Sequence, residues 1–267
     1  MIGILVDITR CSGCYQCVDA CVQAHHLGEE MPLPQHAPDG LTARRWATII
    51  AQPEGRHVRK SCFPCLDPSC VSACPVGAMI KTPEGPVIYD PKRCMGCRYC
   101  MLACPYGIPR YEWDRAVPYV RKCTLCYERL QDGKLPACVE ACPEEAMRFG
   151  DRGELLAKAH QQIRREPAKY IPKVYGEHEV GGTSLLYLSD IPLDFLGFHG
   201  DPGLESLPEL SWAWLGKTPA ISLGMTALMA GTFWIIKRRM QMEAARIKAE
   251  AVSPAETQLE GRSEKDE

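Results

Sequence analysis

A chain of 267 residues has room for one large domain or two small ones, and a formal net charge of −2 gives no electrostatic support for binding nucleic acid. Sixteen cysteines lie far above ordinary usage at this length, which leaves a disulfide framework, structural zinc or iron–sulfur ligation as explanations.

The N-terminal segment MIGILVDITRC has no basic start followed by a long apolar run and no twin arginine. No secretion signal is legible, so the chain stays in the cytoplasm or is exported on a partner that carries one. Cysteine group one follows (Cys11, Cys14, Cys17, Cys21), trailed by His25 and His26. Residues 27–40 hold three prolines and two glycines and read as a loop. Residues 43–51, followed by Pro53, Glu54 and Gly55, suggest a hairpin leading to group two (Cys62, Cys65, Cys70, Cys74). A smaller hairpin, Ala78–Lys81 and Val87–Tyr89 around the turn residues Pro83–Pro86, joins it to group three (Cys94, Cys97, Cys100, Cys104). Group four is Cys123, Cys126, Cys138 and Cys142. Read from the third cysteine of each group, CVDACVQA, CVSACPVGAM, CMLACPYGIP and CVEACPEEAM are versions of one repeated segment.

Beyond the cysteines, Asp151 is placed to cap a helix through LLAKAHQQIRRE that ends before Pro167 and packs on the cysteine-rich part. Residues 167–210 are rich in Pro and Gly and read as an extended segment that wraps the domain and leads towards a membrane. From Trp212 to Ile236 the chain is almost wholly apolar, with Lys217 its one charge, and it is long enough to cross a bilayer as a helix. Trp212, Trp214 and Trp234 sit near its ends, where interfacial aromatics belong. Lys237, Arg238, Arg239, Arg246 and Lys248 follow, so the positive-inside rule puts the C-terminus in the cytoplasm and the cysteine domain on the periplasmic face. The polar tail from Ser253 reads as disordered.

Groups one and three follow C-x2-C-x2-C-x3-C, the run used for [4Fe–4S] clusters. Three cysteines curl around a cubane, and Gly13 and Gly96 let the backbone approach. The fourth cysteine, one helical turn on, is displaced by about 6 Å along the axis and points towards a second cluster. Pro75, Pro105 and Pro143 re-aim the chain directly after it, with Val22 standing in that place in group one. Groups two and four widen the middle gap to four and eleven residues, and both keep the flanking C-x2-C and C-x3-C units. Zinc knuckles have no use for a C-x3-C-P unit that divides its ligands, and disulfides among cysteines so crowded are sterically awkward. Four clusters with sixteen thiolates would add roughly −8 of charge. Arg59, Lys60, Lys92, Arg93, Arg98, Arg121 and Lys122 would partly offset it, each also readable as plain solvated surface.

With that pattern complete, the chain resembles the four-cluster ferredoxin-like subunits that serve molybdopterin enzymes and some membrane-bound nickel–iron hydrogenases. It looks most like the beta subunit of quinone-linked formate dehydrogenase and the ferredoxin-like subunit of quinone-reducing hydrogenase. The likeness runs from Asp7 to about Ile191 and is carried by KCTLCYERL, PACVEACPEEAMRFG and VYGEHEVGGTSLLYL. It implies an α+β fold of two nested ferredoxin-like modules, each of the two-cluster type, in residues 1–166. A linker (167–210), a transmembrane helix (211–237) and a basic flank with a disordered tail (238–267) follow. It also implies four [4Fe–4S] clusters with nested ligands: Cys11, Cys14 and Cys17 with Cys142; Cys123, Cys126 and Cys138 with Cys21; Cys62, Cys65 and Cys70 with Cys104; Cys94, Cys97 and Cys100 with Cys74. The implied function is electron relay between a catalytic subunit and a membrane subunit that binds quinone or haem. No catalytic residue is expected, because neither a nucleophile–base arrangement nor a Walker-type loop is present in the sequence. A free-standing, membrane-anchored carrier is the alternative, and an enzyme in its own right would need a substrate pocket that the sequence does not show. His25 and His26 invite a haem or quinone role, although histidines so placed are more often surface residues.

Overall fold

The computed structural model describes residues 1–28, 39–116, 118–198 and 200–263, with side chains omitted at Glu54 and from residue 250 onward. Most of the loop expected at 27–40 therefore lies outside the described residues. The chain divides into a unit of residues 1–210 and a unit of residues 211–267.

Strand β1 (Ile2–Asp7) leads through a 3-10 turn into the first cysteine loop and helix α1 (Gln16–Ala24). Strands β2 (Thr48–Gln52) and β3 (Arg56–Lys60) form the expected hairpin around Pro53–Gly55, and a tight turn from Thr42 to Arg45 delays its first strand. Helix α2 (Ser69–Ser72), the hairpin of β4 (Met79–Lys81) and β5 (Val87–Tyr89), and helix α3 (Tyr99–Leu102) follow. Next come the two-residue strands β6 (Arg110–Tyr111) and β7 (Val120–Arg121), then helices α4 (Tyr127–Gln131) and α5 (Ala137–Glu140). Strand β8 (Met147–Asp151) runs directly into helix α6 (Arg152–Arg165), where Asp151 accepts from the amides of Gly153 (2.8 Å) and Glu154 (3.3 Å).

Residues 167–210 do more than wrap the domain. They contribute strand β9 (Leu185–Leu188), which joins β1 in parallel while β8 pairs with β1 antiparallel on the other side. Both faces of this sheet are covered. Ile4, Val6, Leu185 and Tyr187 face the core that holds Cys17 and Cys138, while Leu5, Leu186 and Leu188 face Leu155, Ala159 and Ile163 of α6. A strand buried on both sides reads as a continuous apolar run without alternation, which is why LLYL carries no strand signal by period.

The apolar C-terminal stretch is two helices rather than one. Helix α7 (Leu207–Leu215) stops at Gly216, and α8 (Thr218–Ser263) begins with Pro219 in its first turn, where a missing N–H costs nothing. From Thr218 to Ile236 the helix spans about 28 Å, close to the hydrocarbon thickness of a bilayer. Its apolar side chains are exposed, so it is not the buried helix of a soluble core. Beyond Ile236 it runs on to Ser263 through residues read from sequence as a flank and a disordered tail, with alanine, glutamate and lysine as strong helix formers.

Candidate metal centres

The repeated segments put the third cysteine of every group on a short helix, α1, α2, α3 or α5. Pairing of β1 with β8 brings the first and last groups together, and α1 packs against α5 while α2 packs against α3. Cysteines from different groups therefore meet. A space of about 390 Å³ is lined by Cys11, Cys14, Cys17 and Cys142. A second, of about 330 Å³, is lined by Cys123, Cys126, Cys138 and Cys21. A third, of about 310 Å³, has Cys94, Cys97, Cys100 and Cys74 around it. The thiol of Cys65 has those of Cys104, Cys62 and Cys70 around it, with Lys81 beside them. Packing between sets runs in one order: Cys17 shares a core cluster with Cys138, Cys62 packs against Cys21 and Cys123, and Cys70 packs beside Cys100.

These surroundings fit a thiolate-bound cluster. Gly13 (φ 73°), Gly96 (φ 77°) and Leu125 (φ 55°) hold the same left-handed position inside three C-x2-C loops. A Cβ at Gly13 would press into the His57 ring, so this cradle takes a side chain only if that ring moves. Backbone amides donate to sulfur from Ala78 to Cys74 (3.2 Å), Ile108 to Cys104 (3.4 Å) and Leu125 to Cys123 (3.4 Å), which favours the thiolate. Burial pushes the thiols of Cys62, Cys100 and Cys126 up to about 12 and that of Cys70 to about 11. Deprotonating them takes a nearby positive charge, which an iron core supplies. At Cys74 burial also pushes upward, but the amides of Met79, Ala78, Val76 and Gly77 together hold the thiol below its usual value. All sixteen cysteines are free of disulfides.

The seven cations noted near the cysteines separate into two kinds. Lys92, Arg93 and Arg98 are exposed and Arg121 is half-buried, paired with Glu112 at 2.8 Å. Arg59 (3 % exposed), Lys60 (4 %) and Lys122 (3 %) are buried, so solvated surface does not describe them. Lys60 pairs with Asp39 at 3.3 Å. The Lys122 ammonium donates to the carbonyls of Val87 and Cys123 and lies 3.9 Å from Cys62 Sγ. Lys81, which sequence reasoning passed over, donates to the carbonyls of Cys65 and Gly85, both at 2.6 Å. Its place in the hairpin beside group two was the only available signal. His25 Nε2 lies 3.3 Å from Cys126 Sγ, and the ring packs on Trp46 with centroids 4.7 Å apart. Burial lowers the pKa of His25. The contact places His25 beside a candidate ligand. His26 closes the end of α1 in a left-handed conformation (φ 50°).

Comparison with known proteins agrees with this chemistry. Residues 55–152 match the family described as a 4Fe-4S dicluster domain. The chain is 36% identical to the Hydrogenase-2 operon protein HybA of Escherichia coli O157:H7, over 77% of this chain and 74% of that protein. It is 33% identical to the iron-sulfur subunit of the nitrate-inducible formate dehydrogenase of Escherichia coli K12, over 85% and 81% respectively. It is 38% identical to the probable anaerobic dimethyl sulfoxide reductase chain YnfG of the same strain, over 58% and 76%.

Proposed function

The chain belongs to the family that contains HybA and the iron-sulfur subunit of formate dehydrogenase, and from that premise we propose that it is the electron-relay subunit of a membrane-bound oxidoreductase. Four [4Fe–4S] clusters supply reversible one-electron exchange. The chain's own part is to hold them in a row, keep water from the inner pair and set their potentials.

The observation that carries this reading is the exchange of cysteines between repeats. Three spaces each draw three thiols from one group and one from another. That arrangement supports the nested ligand sets, Cys11/Cys14/Cys17 with Cys142, Cys123/Cys126/Cys138 with Cys21, Cys62/Cys65/Cys70 with Cys104, and Cys94/Cys97/Cys100 with Cys74. It also supports one two-cluster module inserted in another. The order of contacts gives a path from the first set through the set of Cys123 and the set of Cys62 to the set of Cys94. Its outer ends are the accessible ones, with Cys14 exposed at one and Met95, Tyr99 and Leu102 exposed at the other. One end suits a catalytic subunit, of the molybdopterin or nickel–iron type, and the other a membrane subunit that binds quinone or haem. The basic residues after Ile236 favour a cytoplasmic C-terminus and a periplasmic cluster domain.

Iron and acid-labile sulfide, measured on the anaerobically purified complex, test this directly. About sixteen irons per chain, with visible colour that bleaches on reduction, is the expected result. About four zinc ions and no colour would sink the cluster reading. Full iron with no co-purifying catalytic subunit would favour the free-standing carrier.

A further inference from the structure

Arg59 lines two of the thiol-lined spaces at once, that of Cys11, Cys14, Cys17 and Cys142 and that of Cys123, Cys126, Cys138 and Cys21. Its guanidinium is buried, yet among the described residues no carboxylate pairs with it. Its single hydrogen bond from the guanidinium goes to Ser61 Oγ (2.7 Å), and its Nε has no partner. A buried cation so poorly matched is costly unless negative charge faces it from elsewhere. The backbone is pinned on both sides, by pairing of Arg59 with Ile49 across the β2–β3 hairpin and by the Tyr187 hydroxyl donating to its carbonyl (2.6 Å).

We propose that Arg59 is a positioning residue for electron transfer, a fixed cation between two clusters that raises the reduction potential of both. The proposal rests on the ligand sets given above. Each added electron makes a cluster more negative, and a cation in the poorly screened gap stabilises the reduced form of either neighbour. The same charge weakens the repulsion between the two when both are reduced. The set of Cys62 has Lys81 and Lys122 beside it, and the space of Cys94, Cys97, Cys100 and Cys74 has Arg98, and not Arg59, in its lining.

Redox titration of the intact complex, followed by electron paramagnetic resonance, tests this with Arg59→Gln and Arg59→Lys. Both variants are expected to keep about sixteen irons. In R59Q two of the four potentials fall and two stay in place, and R59K lies between R59Q and the natural chain. The displaced pair is assigned by which signals change in Cys14→Ser and Cys126→Ser variants. Full iron with four unmoved potentials, or four potentials moving equally, overturns the role of Arg59 while leaving the relay intact. If R59Q loses iron, R59K decides by the same rule. Iron far from sixteen in the natural chain would instead overturn the ligand sets beneath the proposal.

Discussion

At Gly13 the requirement is steric as well as conformational. The φ of 73° is already strained for any other residue, and the Cβ of an alanine would press into the His57 ring. Gly133 has nearly the same φ, 72°, but an added Cβ there would have no neighbour within 4 Å. Gly13→Ala is therefore expected to lose about four of about sixteen irons, while Gly133→Ala costs about 1–2 kcal/mol and keeps its iron. Iron analysis of the two variants, with the thermal loss of visible colour, separates packing at a cluster from backbone strain alone. At this scale the candidate ligands could be named from the sequence, because C-x2-C and C-x3-C units are local geometry. The second role of Arg59 was not, since nothing near RKSC says which distant thiols surround it.

Elements meet at Asp39, which pairs with Arg110 of β6 at 2.7 Å and with Lys60 at the end of β3. This joins the hairpin entering group two to the strand that follows group three. Burial raises the Asp39 pKa, but the charges of Arg110 and Lys60 outweigh that and hold the carboxyl below its ordinary range. A depressed carboxyl contributes stability above its unfolded pKa, and the contribution is lost as pH falls through the folded value. Asp39→Asn would leave the Lys60 ammonium buried without its counter-charge, at a cost of about 3–5 kcal/mol at neutral pH. The midpoint of thermal bleaching should drop accordingly, and an unchanged midpoint would show that Lys60 finds another partner. The hairpins and the capped helix α6 were legible because their signals lie within a dozen residues. Strand β9 was missed because it is buried on both faces and its partner β1 lies at the other end of the unit.

For the whole molecule, the decisive contrast is between a cluster unit with its own core and a helix whose described apolar side chains are exposed. A chain ending at Leu210 is expected to keep its iron and leave the membrane fraction, as read by iron and fractionation after cell breakage. Retention on the membrane would mean that a partner subunit, and not α8, provides the attachment. The kind of cofactor, the repeat of cysteine segments and the apolar helix were all written in the order of residues, because each depends on spacing along a few turns of chain. The tertiary structure decides that β9 closes the central sheet, which groups' thiols line one space, and that Arg59 lies between two such spaces. Those depend on β1 meeting β8 and β9 across more than a hundred residues, where local geometry carries no record of the partner.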